Sequence, residues 1–351
     1  GSDPARGMAR LNHDGSLDAA FDIGSGMDAP VWAIAPAIDG SGDVYAGGEF
    51  TTVRGQPSKA LVRLNADGSI DTGFQVGEGF RGVVTAMALA DDGDVYVGGY
   101  FSHYRGEPVQ PVVRLNADGT LDRGFSLGSG WSLASGQAPV VDAIAGPDRN
   151  GHIIVAGDFD TFRAAPAPGI VRVRADGARD TSFNAGSGFG SGGPVWTLAL
   201  AADGSGDIYA GGSFSTYRQA STKGLVRINA DGSRDTGFEV GSGFAANEGG
   251  MAVWALLPRV DGSVDVGGYF HSYRGAEVGH FVHIRHDGAR LDADFVRRPF
   301  NDSVSSLVRM PGRQNTFYVG GYFTRYDGTD TRRLVRLVGD GSVDHAFVAT
   351  R

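Results

Sequence analysis

The hydrophobic positions of this chain come in short runs that alternate along a strand and never follow a helical stripe. Three kinds of run recur, rich in β-branched and aromatic residues and bounded by Gly, Asp and Asn, a pattern that predicts strands closed by turns. The first kind is VWAIA (31–35), VTAMA (84–88), VDAIA (141–145), VWTLA (195–199), VWALL (253–257) and VSSLV (304–308). The second is VYAGGEF (44–50), VYVGGYF (95–101), IVAGDF (154–159), IYAGGSF (208–214), VDVGGYF (264–270) and FYVGGYF (317–323). The third opens a longer segment such as RLNADGSIDTGF (63–74) or RINADGSRDTGF (227–238), which occurs seven times. No segment reads as a capped amphipathic helix.

The seven long segments close at Phe21, Phe74, Phe125, Phe183, Phe238, Phe295 and Phe347, which lie 51 to 58 residues apart. A steady period of this length marks a repeat architecture. Each repeat predicts a four-stranded meander: strand A of the VWAIA type, strand B of the VYVGGYF type, strand C of the LVRLN type, and a short strand D ending at the Phe. Asp-Gly turns join A to B and C to D, since Gly takes φ > 0 freely and Asp tolerates it. In strand A the small Val31, Ala33 and Ala35 back the large Trp32 and Ile34, which predicts a sheet covered on both faces. Gly-Gly in strand B (Gly47-Gly48, Gly98-Gly99) removes side chains where neighbours crowd. Coils of a solenoid repeat more tightly than this, at about 20 to 45 residues; four strands with turns fit a propeller blade.

The expectation is therefore an all-β, six-bladed β-propeller of four-stranded antiparallel blades, seven blades requiring an A–B pair that the sequence lacks. Residues 1–8 read as a tag or linker and 9–351 as one propeller domain. An extra C–D hairpin occupies 9–21, and the blades span approximately 31–74, 84–125, 140–183, 195–238, 253–295 and 304–347.

The D-G-[ST]-x-D-x-x-F and V-Y-V-G-G-x-F motifs resemble the bacterial delta-60 repeat over roughly residues 9–349. The resemblance implies a propeller fold and a large exported protein as context, hence an extracellular or cell-surface location. It implies no activity.

Composition narrows the partners. The net charge of −9 argues against nucleic acid, whose phosphates need a basic face. No apolar run of about 18 residues exists to insert in a membrane. The 57 glycines without a collagen period fit many tight turns. Cysteine is absent, which removes thiolate chemistry and disulfides. No cofactor is expected, and the chain reads as a monomeric domain of a longer protein.

Strand parity would place the A–B and C–D turns on one face and the longer B–C and D–A loops on the other. Two features recur in that second set. The D–A loops carry Gly-x-Gly followed by Phe80, Trp131, Phe189 or Phe244, with Met27 and Phe300 in the outer copies. The B–C loops carry Arg54, Tyr104-Arg105, Phe162-Arg163, Tyr217-Arg218 and Tyr273-Arg274. As a site, this is a rim of aromatic and guanidinium groups suited to sugars or acidic glycans; as structure, the aromatics plug the blade and the arginines pair locally. Recurrence in nearly every repeat favours plugs.

Catalytic and metal signals are thin. Gly124-Phe125-Ser126-Leu127-Gly128 matches G-x-S-x-G but lacks the strand-to-helix elbow that motif needs. His280, His283 and His286 are three apart, which on a strand spreads them over opposite faces. The Asn65, Asp67, Asp71 turn lacks the Gly and acid spacing of an EF-type calcium loop. His103 and His271 are the remaining acid–base candidates, and strand A offers one inward acid, Asp142. The sequence thus points to a non-enzymatic binding or adhesion module, or a structural one, that meets a protein or glycan with its B–C/D–A loops. The alternative is a lectin with blade-repeated sites, and the third reading is a hydrolase at the central channel.

Overall fold

The computed structural model describes residues 7–190, 193–290, 298–313 and 315–349. Phe295 lies outside the described residues, as does the tag or linker up to residue 6. Among the described residues every regular element is a strand, and no helix is long and apolar enough to cross a membrane. The chain divides into two compact units. One holds residues 7–12 and 17–180, the other 13–16 and 181–349.

Each unit contains three sheets built alike. In the first unit strand A is Val31–Pro36, Phe80–Leu89 or Val140–Ala145, strand B is Val44–Gly48, Val95–Tyr104 or Ile153–Asp158, and strand C is Leu61–Leu64, Val112–Leu115 or Ile170–Val173. In the second unit the A strands are Val195–Leu200, Ala252–Pro258 and Val304–Arg309. Its B strands are Ile208–Gly212, Val264–Tyr269 and Thr316–Gly321, and its C strands Leu225–Ile228, Phe281–Ile284 and Leu334–Val338. All pair antiparallel in the order A–B–C.

The sheets depart from the four-stranded expectation. Strand D shrinks to one bridged residue, as in Leu64↔Ile70 and Ile228↔Arg234, because the chain leaves C through an Asp-Gly turn and moves at once to the next repeat. There Gln75 N–H donates to Asp118 O at 2.8 Å and Asn184 N–H to Asp231 O at 2.7 Å. The B–C connection is a second small hairpin, such as Thr52–Val53 with Gln56–Pro57 or Thr216–Tyr217 with Ala220–Ser221.

Within each unit the core lies between the sheets of successive repeats. Tyr45 and Leu61 of one repeat share a cluster with Val84, Val97 and Leu115 of the next; Tyr209 and Leu225 do the same with Val253, Val266 and Ile284. Gly98 permits that approach, since a Cβ there would stand 2.7 Å from Ile144 Cδ1 and 2.8 Å from Val141 Cγ1. In the first repeat the larger face of strand A is not covered: Trp32 and Ile34 are more than half exposed. Met87 and Ile144, the counterparts of Ile34, pack instead against the core clusters of the first unit.

Candidate functional site

The loop aromatics form plugs and not a rim. Phe80, Trp131 and Phe244 are buried and Phe189 is half-buried. Each ring sits on the strand-B Phe and on the aromatic of the small hairpin. Phe80 lies 4.4 Å from Phe101 and 4.5 Å from Tyr104, and Phe244 lies 4.5 Å from Phe270 and 4.7 Å from Tyr273. Phe189 meets Phe214 and Tyr217 in the same way, and Trp131 meets Phe159 and Phe162. Tyr104, Tyr217 and Tyr273 are fully buried, and their hydroxyls donate to the carbonyls of Gly119, Gly232 and Gly288 at 2.6–2.7 Å. Burial drives these phenols well above their ordinary pKa.

Those glycines belong to C–D turns, so the strand-parity placement fails here. The small B–C hairpin folds back to the C–D turn of its own repeat, because strand D is too short to keep the two apart. The arginines serve this junction. Arg54, Arg105, Arg163, Arg218 and Arg274 each occupy the first φ > 0 position of the hairpin turn. Arg218 donates to Asn184 O at 2.9 Å, and Arg54 to Asp22 O. Arg163 and Arg218 also reach the C–D carbonyls of Gly177 and Gly232 at 3.4 Å. Their guanidinium groups lie over Gly24, Gly77, Gly128, Gly186 and Gly241, the first glycine of each Gly-x-Gly, which leaves them room. These side chains are committed to joining loops, though all but Arg54 keep an exposed surface.

A different set of residues stands partly or largely open to solvent, and periodicity alone does not reveal it. In all six repeats the A–B register slips by one residue at the same place, between Val31 and Ala33, Val84 and Ala86, Val141 and Ala143, Val195 and Thr197, Val253 and Ala255, and Val304 and Ser306. Such a bulge re-aims the extra side chain. The residues so placed are Trp32, Thr85 and Asp142 in the first unit and Trp196, Trp254 and Ser305 in the second. Beside them, just past the strand-B glycines, stand Glu49, Tyr100 and Asp158, then Ser213, Tyr269 and Tyr322. The bulges lie at the end of strands A and B that leads into the D–A and B–C connections.

The pairs differ from repeat to repeat while the flanking Val and Gly stay nearly fixed. Trp32 Nε1 donates to Glu49 Oε1 at 3.0 Å and Trp196 Nε1 to Ser213 Oγ at 3.1 Å. Trp254 stacks on Tyr269 at 6.4 Å. Tyr100 and Tyr322 are 56% and 58% exposed, far from the burial usual for a ring. Asp142 is raised to about 6 by burial and by the nearby charge of Asp158. These side chains vary between repeats on a nearly constant scaffold.

A family model described as Domain of unknown function (DUF5122) beta-propeller matches residues 1–21, 40–74, 90–125, 149–183, 202–238 and 317–347, more than half of the chain. The chain belongs to this β-propeller family. The description carries the propeller and not the delta-60 name. No curated protein matches the chain. Among solved structures it is similar to the extracellular domain of a protein described as a hybrid two component system of B. thetaiotaomicron (15% identity, TM-score 0.47), covering 91% of this chain and 35% of that one. It is also similar to the WD40 beta propeller domain of Doa1 (12%, TM-score 0.48), covering 91% of this chain and 89% of that one. A third is a gluconolactonase from Xanthomonas campestris (14%, TM-score 0.43), with 84% of each chain covered. The chain thus spans about a third of the first of these proteins.

Within this DUF5122 β-propeller the remaining sequence candidates are dispersed. Ser126 gives its N–H to Asp176 O in a repeat junction, with no helix after it. His283 Nδ1 pairs with Asp265 at 2.7 Å, away from His280, whose ring lies against His271. Asp67 takes Ser69 N–H and Oγ–H, and Arg63 Nε lies 3.2 Å from Asp71, so the acids of that turn are engaged. Among the described residues no three His, Cys, Asp or Glu converge as metal ligands.

Proposed function

We propose that this propeller is a non-catalytic binding module, one blade per repeat and six in all, that meets its partner through the side chains at the strand A bulges. The observation that supports the reading is a contrast between positions: the plugs and arginine junctions recur in most repeats and are engaged, whereas the bulge pairs vary from repeat to repeat and stand partly or largely exposed. They stand at the end of the sheet that leads to the B–C and D–A connections. Contact therefore falls at that end of the sheets, on Trp32 and Tyr100 in the first unit and on Trp196, Trp254 and Tyr322 in the second, in place of Phe80 or Trp131.

A saccharide is the favoured ligand class. Trp32 and Trp196 offer flat apolar rings whose edges already hold an acid or a hydroxyl, the combination of stacking surface and polar anchor that ligand sites use. A protein surface is the second partner considered. The repeat motifs support a place in a larger exported bacterial protein. Hydrolysis is the third reading; the twelve bulge positions hold three acids, Glu49, Asp142 and Asp158. The test is binding of the labelled chain to a broad glycan array, with Trp32→Ala, Trp196→Ala and Trp254→Ala beside it.

A further inference from the structure

The fifth repeat departs from its neighbours where they agree. Asp265 stands in the place of Tyr45, Tyr96 and Tyr209, and His283 in the place of Arg63, Arg114 and Arg227. The family match also passes over residues 239–316. Three more histidines belong to this stretch, His271, His280 and His286. His271 opens the small B–C hairpin and His280 follows it, fixed there by Val278 N–H donating to His271 O at 2.9 Å and His280 N–H to Phe270 O at 3.0 Å.

The two imidazoles have ring centres 4.7 Å apart and planes at 63°. His280 is only 4% exposed, yet its Nδ1 has no hydrogen-bond partner among the described residues. An unpartnered buried polar atom costs the fold stability, a cost that a ligand on this nitrogen would relieve. On His271, the Asn247 N–H reaches Nδ1 only at 3.5 Å, a bond easily displaced. His271 and His280 both border a cavity of about 300 Å³, with Glu277, Asn247 and Asn301 around it.

We infer that His271 and His280 form a two-imidazole site for a divalent transition metal ion such as Zn²⁺, Ni²⁺ or Cu²⁺. Metal–nitrogen bonds of about 2.0–2.1 Å put the centres of two imidazoles on one tetrahedral ion about 5 Å apart, close to the separation seen. Neutral imidazole suits these ions, whereas Ca²⁺ and Mg²⁺ require oxygen ligands. With two protein ligands, the other coordination positions face the cavity and belong to water or to a group brought by a partner. Binding is accordingly weaker than at a closed four-ligand structural site.

The test is calorimetric titration of the full chain with NiCl₂ and with ZnCl₂ in a chelator-free buffer, against MgCl₂. His271→Gln and, as a control in the second repeat's hairpin, His103→Gln are run in parallel. The expected result is one saturable event per chain with Ni²⁺ or Zn²⁺ and none with Mg²⁺. His271→Gln should weaken it at least tenfold with an unchanged far-ultraviolet circular dichroism spectrum, and His103→Gln should leave it alone. Cu²⁺ electron paramagnetic resonance of the wild type reads the ligands without any substitution and should show imidazole nitrogen. Absence of saturable binding, uptake indifferent to His271→Gln, or a Cu²⁺ spectrum without nitrogen ligands would each overturn the site.

Discussion

Trp32 and Glu49 face each other across the first bulge, the indole Nε1 donating to Glu49 Oε1 at 3.0 Å while 56% of the tryptophan remains exposed. An exposed ring held by one hydrogen bond contributes little to folding. Trp32→Ala is expected to move the unfolding free energy by no more than about 0.5 kcal/mol, measured by urea denaturation, even where it abolishes ligand binding. A large loss of stability would reassign Trp32 to the core.

Trp131 should behave in the opposite way. It fills the plug that Phe80, Phe189 and Phe244 fill elsewhere, and truncation of such a ring costs about 3–5 kcal/mol. Its buried Nε1 lacks a hydrogen-bond partner among the described residues. Trp131→Phe should therefore hold or raise the denaturation midpoint while Trp131→Ala lowers it sharply. Equal losses in both variants would argue against the plug.

Gly98 tests the contact between successive repeats. The methyl of Gly98→Ala would meet Ile144 and Val141 at under 3 Å, and overpacking of this kind costs about 1–3 kcal/mol. Gly106, at a hairpin tip with nothing near its missing Cβ, supplies the comparison. Its φ of 80° makes Gly106→Asn the appropriate substitution, with a small effect on the midpoint expected.

Asp142 gives the chain a pH dependence of defined sign. Its carboxyl is raised from 3.8 to about 6 by burial and by Asp158, so across that window the folded state holds a proton that the unfolded state has lost. Stability therefore falls as pH rises from the ordinary value through the folded one. Asp142→Asn should remove this decline: the variant gains on the wild type in urea midpoint on going from about pH 4 to about pH 7.5. A constant difference between the two proteins would show that Asp142 titrates normally.

Much of this was legible in the sequence, for physical reasons that also explain the rest. Period, turn chemistry and the Gly-Gly pairs are local, and they led to an all-β repeat with A, B and C strands at the observed places. Strand D is shorter than the hydrophobic Ile70 and Phe74 suggest, because after Ile70 and Asp71 return to strand C the backbone bonding passes to the following repeat at Gln75. The Tyr104 hydroxyl on Gly119 O is a tertiary contact that strand parity pointed away from. Alternation alone places Trp32 on one face of a regular strand. The one-residue slip beside it is a property of pairing, and its only trace in the sequence is that the position varies between repeats. His271 and His280 were missed as a pair because facing ends of a hairpin are not neighbours by spacing.

The most direct test of recognition at the bulges is the glycan array read with four variants: Trp32→Ala, Trp196→Ala, Trp254→Ala and Arg105→Ala. The account predicts a signal on the wild type that at least one tryptophan variant loses without a change in denaturation midpoint, and that Arg105→Ala retains. A signal surviving all three tryptophan replacements and lost with Arg105→Ala would contradict it and return recognition to the loops.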